Sequence, residues 1–156
     1  MIEFGRFAEE NRQSRGEGKP ETFDFLGFTH ICAKRRSDGK FTLWRRAIVK
    51  RMRRKLKEIE EVLMQHRHEP VAETERRLKT VVQGFLNYCA VPDNSRQMSR
   101  FRGIVNRLWF RALRRRSQKG RKWTWERMQR LIEKLIPPAR MQRPYPNQRL
   151  HVSYPR

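Results

Sequence analysis

The chain has 156 residues, with 38 Lys+Arg against 16 Asp+Glu and a formal net charge of +22. That length suits one modest core with a strongly basic surface, and a charge excess of this size is costly through self-repulsion unless a polyanion offsets it. No apolar run approaches the ~20 residues needed to span a bilayer, and two distant cysteines, Cys32 and Cys89, exclude a disulfide framework.

Nucleic acid is the first partner the charge implies, and an anionic membrane surface is the weaker second. Residues 1–6 lack the charged start and apolar stretch of a secretory signal, so a reducing, cytoplasmic location is expected.

In chain order, residues 1–7 read as an edge strand and residues 9–21 as a solvated loop, rich in charges with Gly16, Gly18 and Pro20. Residues 22–29 are aromatic and β-prone, with Phe23 and Phe25 on one face by alternation. A hairpin is expected around Asp38-Gly39, a pair that supplies the positive φ values of a tight turn. From Ala47 the period becomes helical. Ile48, Met52, Leu56, Ile59 and Leu63 form one stripe, with Lys50, Arg53, Arg54 and Lys57 opposite. A second helix carries Leu78, Val81, Val82, Phe85 and Leu86.

The third helix is expected over residues 96–116, capped by Ser95, with Phe101, Ile104, Val105, Leu108, Trp109, Ala112 and Leu113 apolar. Residues 117–122 form a basic linker. Thr124 is expected to cap a fourth helix carrying Met128, Leu131, Ile132, Leu135 and Ile136, stopped by Pro137-Pro138. The proline-containing tail from Arg140 is expected to be extended. The fold class is α+β: N-terminal β hairpins followed by a mostly α-helical bundle of three to four helices.

The basic residues are the informative ones. On a helical wheel Arg100, Arg107, Arg111 and Arg114 cluster within roughly 60°, away from the apolar stripe of the third helix. The planar fork of arginine matches phosphate oxygens bidentately. The alternative, a solvated face balanced by acids, is weak here, because Asp93 is the only acid between Arg76 and Trp125. The candidate nucleic-acid contacts are Lys50, Arg53, Arg54, Lys57, Arg100, Arg107, Arg111, Arg114 and Arg115. In the first of these helices Glu58, Glu60 and Glu61 offer intramolecular pairing for part of the charge. RNA and DNA both fit the charge. Structured RNA is recognised largely by shape and backbone, and no sequence-reading DNA module is recognisable.

Chemistry-bearing constellations are sparse. His30 and Cys32 lack a second pair to complete a metal site, His66 and His68 read as surface residues, and Cys89 reads as a small core residue. No phosphate loop, nucleophile elbow or Asp-Asp pair able to hold two magnesium ions occurs.

Together these stretches resemble the C-terminal part of a bacterial group II intron-encoded reverse transcriptase/maturase. The resemblance rests on Phe23-Asp24-Phe25-Leu26-Gly27-Phe28, Tyr88-Cys89-Ala90-Val91-Pro92 with Asn94-Ser95, and Leu108-Trp109-Phe110-Arg111-Ala112-Leu113-Arg114-Arg115-Arg116-Ser117. Thr124-Trp125-Glu126-Arg127 and Pro144-Tyr145-Pro146 complete an ordered set that covers essentially the whole chain. The resemblance implies a palm remnant at residues 1–44, where Phe25, Leu26, Gly27 and Phe28 match the primer-grip hairpin. It implies a thumb, or maturase-specific domain, at 45–117, and a basic linker, short helix and Pro-rich tail at 118–156.

In that family the thumb binds intron RNA, assists RNA splicing and holds the template–primer duplex during reverse transcription, as the mobile element moves. The Tyr-x-Asp-Asp motif of the RNA-directed DNA polymerase is absent, as are the fingers and the endonuclease domain. No polymerase activity is therefore expected of the chain alone. Magnesium is expected only for a complete reverse transcriptase, and no other cofactor is expected. The implied partners are group II intron RNA or another structured RNA, an RNA–DNA duplex, and a separately encoded fingers–palm polypeptide, with no membrane. The alternatives are a split subunit completing a polymerase, or a general basic RNA-binding protein. Left without the rest of a palm sheet, the strands are expected to expose Phe23, Phe25, Phe28 and Phe41.

Overall fold

A computed structural model describes residues 2–35 and 38–140. The architecture is α+β, with a small antiparallel sheet leading into a helical bundle. The sheet has the order β1 (Phe23–Phe25), β2 (Phe28–Lys34) and β3 (Phe41–Ala47). Phe25 pairs with Phe28 across a two-residue turn, in which Leu26 (φ +46°) and Gly27 (φ +81°) both enter left-handed space. Two positive φ values match the right-handed twist of the flanking strands, which is why such short hairpin turns favour them. The second hairpin closes through the Arg35 N–H on the Lys40 carbonyl at 2.8 Å, with Gly39 at φ +67°. The hairpin forms at Asp38-Gly39 as expected, although Gly39 alone of the pair takes a positive φ.

The first residues depart from expectation. Residues 2–7 form no strand. Gly5, at φ +137°, turns the chain and its carbonyl receives the Ala8 N–H, opening a short helix, α1 (Ala8–Ser14). Its Ala-Glu-Glu start combines good helix formers with acids at the positive end of the helix dipole, which outweighs the loop character of the glycines beyond. Phe4 still reaches the sheet, edge-on to Phe23 with centroids 4.7 Å apart. A second correction concerns the aromatic residues. Phe28 is buried and stacks on Tyr88 at 5.3 Å, whereas Phe23 and Phe41 are half-buried and only Phe25 of the four is exposed. The bundle covers Phe28 through Tyr88, whereas Phe23 is covered by Phe4 and His30.

The sheet continues past residue 44 to Ala47, which pairs with Phe28 and is buried. The helical part then comprises α2 (Val49–Gln65), α3 (Val71–Cys89), α4 (Ser95–Arg114), a 3-10 turn (Lys119–Lys122) and α5 (Trp125–Leu135). The stripes expected from the sequence meet in one core. Met52, Leu56, Ile59 and Leu63 pack with Leu78, Val82 and Leu86, around Phe101, Val105 and a fully enclosed Trp109. Phe85 stacks on Phe101 with centroids 3.9 Å apart.

Asn94, rather than Ser95, occupies the N-cap position of α4 without a side-chain capping bond, and Ser95 is the first helical residue. The Asn94 amide is fully buried and serves a tertiary purpose. Its Oδ1 accepts the Ala47 N–H at 3.1 Å, and its Nδ2 donates to the Cys89 carbonyl at 2.9 Å. One side chain thus joins the end of the sheet, the end of α3 and the start of α4. Thr124 caps α5 as expected, its hydroxyl accepting the Arg127 N–H. Arg102 fastens the far end of α5 by donating to the Pro137 and Ile136 carbonyls at 2.9 and 3.2 Å. The expected extended tail with Pro144-Tyr145-Pro146 lies outside the described residues, as does the Leu135 side chain.

Candidate nucleic-acid interface

The relative direction of α2 and α4 decides where the cations meet. Ala47, just before α2, is bonded to Asn94, just before α4. At the other end, Glu60 and Met64 of α2 line a small cleft of about 80 Å³ with Arg111 of α4 and Arg115 just past its end. Beyond it, Arg116 donates to the Glu69 carbonyl at 2.6 Å, tying the end of α4 to the α2–α3 turn. The helices therefore run parallel, with α3 returning between their ends.

This places the basic rows of two remote segments side by side. Lys50, Arg53, Arg54 and Lys57 on α2, and Arg100, Arg107, Arg111 and Arg114 on α4, are all exposed, as is Arg115 just beyond α4. In α2, Arg53 and Lys57 sit on the wheel on the same flank as Glu60, which lines the cleft with α4; in α4, Arg111 lines that cleft, and Arg107 lies one turn before it on the same row. The result is one cationic band across two helices.

Acids temper that band locally. Lys57 pairs with Glu61 at 3.9 Å and Lys55 with Glu58 at 3.0 Å. Both pairs are exposed, so each contributes little to stability. Glu60 stands beside Arg111 and Arg115 in the cleft, a neighbour that inspection of α4 alone did not reveal. The ion pairs formed among the described residues leave Arg107, Arg111 and Arg114 out. Not every arginine of this region is available. Arg102 and Arg116 are committed to backbone carbonyls, and Arg77 reaches Glu69 at 3.4 Å.

The primer-grip-like residues form the β1–β2 turn. Phe25 and Leu26 are 57% and 72% exposed, so the hairpin presents an apolar tip to solvent. Gly27, in contrast, is buried under the bundle. A β-carbon there would meet the Tyr88 hydroxyl and stand 2.7 Å from an Arg51 guanidinium nitrogen. Tyr88 donates its hydroxyl proton to the Leu26 carbonyl, and Ile48 donates its N–H to the Gly27 carbonyl at 3.1 Å. Arg51 and Tyr88 were missed in the sequence. Nothing in the local pattern of α2 or α3 signals that they meet a turn more than twenty residues away.

The remaining chemistry-bearing residues have structural partners. His66 is bonded to Glu69 at 2.6 Å, His30 stacks on Phe23 at 4.9 Å, and the Cys32 sulfur lies against the Gly5 backbone. Cys89 is buried, and loss of hydration pushes its thiol from the usual 9.0 up to about 11. Among the described residues no cluster of His, Cys, Asp and Glu could hold a metal ion, and no helix is long and apolar enough to cross a membrane. Comparison of the chain with protein-family models, with curated proteins and with solved structures returns no match.

Proposed function

We propose that this is an RNA-binding protein of the group II intron maturase type. In this reading the bundle binds intron RNA, or a template–primer backbone, to assist splicing or retrohoming, and carries no polymerase active site of its own. The supporting observation is the parallel α2–α4 pair, which joins two exposed cationic rows into one band while leaving Arg107, Arg111 and Arg114 outside the ion pairs. Guanidinium groups arrayed along two helices suit backbone contact on a folded RNA better than base-edge reading. The ordered resemblance supplies the identity of the RNA.

The test is equilibrium binding to a group II intron RNA and to an unrelated structured RNA across a salt series. Each neutralised phosphate contributes about 0.9 to the fall of log affinity against log salt on a duplex. Replacing Arg107, Arg111 and Arg114 together by Ala is expected to weaken binding and to flatten the slope by about 2.7. Unchanged affinity and slope would remove the band from the interface. Equal affinity for both RNAs at ~150 mM salt would favour a general basic RNA-binding protein instead.

One observation favours a second reading, a split subunit that completes an RNA-directed DNA polymerase. The sheet presents the exposed tip Phe25–Leu26 beside β1, a strand whose outer edge pairs with no other described strand. Free strand edges are sites of sheet extension by another polypeptide. Primer extension by a mixture of this chain with a Tyr-x-Asp-Asp-bearing fingers–palm protein tests it, and no synthesis from the mixture removes it.

A further inference from the structure

The junction of α4 and α5 carries a group of aromatic rings and guanidiniums that the cationic band does not use as such. Phe110, near the end of α4, meets Trp125, the first residue of α5, edge to face with centroids 5.2 Å apart. The Arg114 guanidinium lies over Phe110 at 5.6 Å, and that of Arg127 lies over Trp123 at 4.7 Å. Phe110 and Trp123 are half-buried against the core, whereas Trp125 remains 38% exposed. Trp123 and Thr124 both have extended backbone, so Trp123 and Trp125 project to the same side of the connection.

Trp125 keeps more than a third of its surface in water, next to a Phe110 ring that already carries the Arg114 guanidinium. The acid next in sequence, Glu126, is occupied at the start of α5, held below the usual carboxylate range by its own backbone N–H and then by the Thr124 hydroxyl. It therefore faces the helix terminus, and Arg127 stays on its ring.

We propose that Trp125, with Arg114 on the adjoining Phe110 ring and Arg127 on the Trp123 ring of the same connection, is a stacking site for an unpaired nucleotide. The base would lie on the exposed indole face and the flanking phosphates would be held by the guanidiniums. The ligand class is single-stranded nucleic acid, since a base paired inside a helix has no free face to offer. The site extends the proposed function, because it rests on the reading that this basic surface faces nucleic acid. Arg114 belongs to both, so a strand leaving a duplex on the α2–α4 band reaches the ring directly.

The experiment compares two single strands of equal length and charge, one with bases and one abasic throughout, in RNA and DNA form, by fluorescence anisotropy. Tryptophan quenching is followed in the same titrations. The wild-type chain is expected to prefer the base-bearing strand by roughly five- to a hundredfold and to lose tryptophan emission with it. Trp125→Ala is expected to bring that ratio to within about twofold of one, and Trp125→Phe to keep most of it. Circular dichroism melting verifies that each variant is folded. A wild-type ratio near one, or a ratio in Trp125→Ala equal to wild type, overturns the stacking site. Failure of the band reading looks different: it abolishes the salt-steep binding of duplex RNA, while the base-to-abasic ratio on single strands is read independently. A preference for the RNA strand over the DNA strand assigns RNA as the source of the nucleotide, and equal preference assigns either strand.

Discussion

Asn94 is fully enclosed, yet both ends of its amide are used, one by the sheet and one by α3. Replacing it by Ala would strand the Ala47 N–H away from water, while the Cys89 carbonyl would keep the Val91 N–H at 2.7 Å. A buried group left without its partner costs about 1–3 kcal/mol, so Asn94→Ala is expected to lower stability by about 2 kcal/mol or more. The urea midpoint checks it. Cys89 lies beside this junction. Its raised thiol means that the denatured chain loses the proton first as pH rises, so stability is full below about 9 and falls between there and about 11. Thiol titration is expected to find Cys89 unreactive until the chain unfolds, while half-buried Cys32 reacts in the native state. Little of this residue-level detail was legible in the sequence. Cys89 could be placed in the core by its helical phase, but Asn94 reads as an ordinary cap beside Ser95. One of its partners, Ala47, arrives from a strand forty-seven residues earlier.

At the scale of elements, the β1–β2 turn is the most constrained connection. Leu26 holds a left-handed backbone that costs a residue with a β-carbon about 1–2 kcal/mol. Leu26→Gly is therefore expected to stabilise the native backbone locally, offset in part by the greater freedom of the denatured chain. Gly27→Ala is expected to do the opposite. It combines a positive φ with a clash against Tyr88 and Arg51, and should cost at least about 2 kcal/mol and undock the hairpin. Thermal melts of the pair provide the comparison, with opposite signs expected if the turn is set by these two positions. A milder change, Tyr88→Phe, removes the bond to the Leu26 carbonyl and should cost about 1 kcal/mol. The strands, the Asp-Gly turn and the long helices were legible from period and turn chemistry. The short helix α1 was not, since glycines on either side of a brief run mask its propensity.

For the molecule as a whole, the +22 charge sets the balance. A polyanion that binds only the folded chain relieves self-repulsion and adds stability by mass action, about 2.7 kcal/mol at a hundredfold excess over Kd. Saturating structured RNA is expected to raise the melting temperature, an effect that added salt should erode as it screens the contacts. The sequence by itself determined the α+β class, the apolar stripes and the cationic row opposite each of them. Those features repeat every two or every three to four residues, so they are written locally. Only the tertiary structure decided that α2 and α4 run parallel and merge their rows, and that Glu60 stands beside Arg111 and Arg115. It likewise decided that Arg102 and Arg116 serve backbone carbonyls instead of solvent, and that Gly27 lies beneath Tyr88. Each of these depends on which helix face packs against which partner, a choice made by the joint burial of apolar area from distant segments and invisible to any single period.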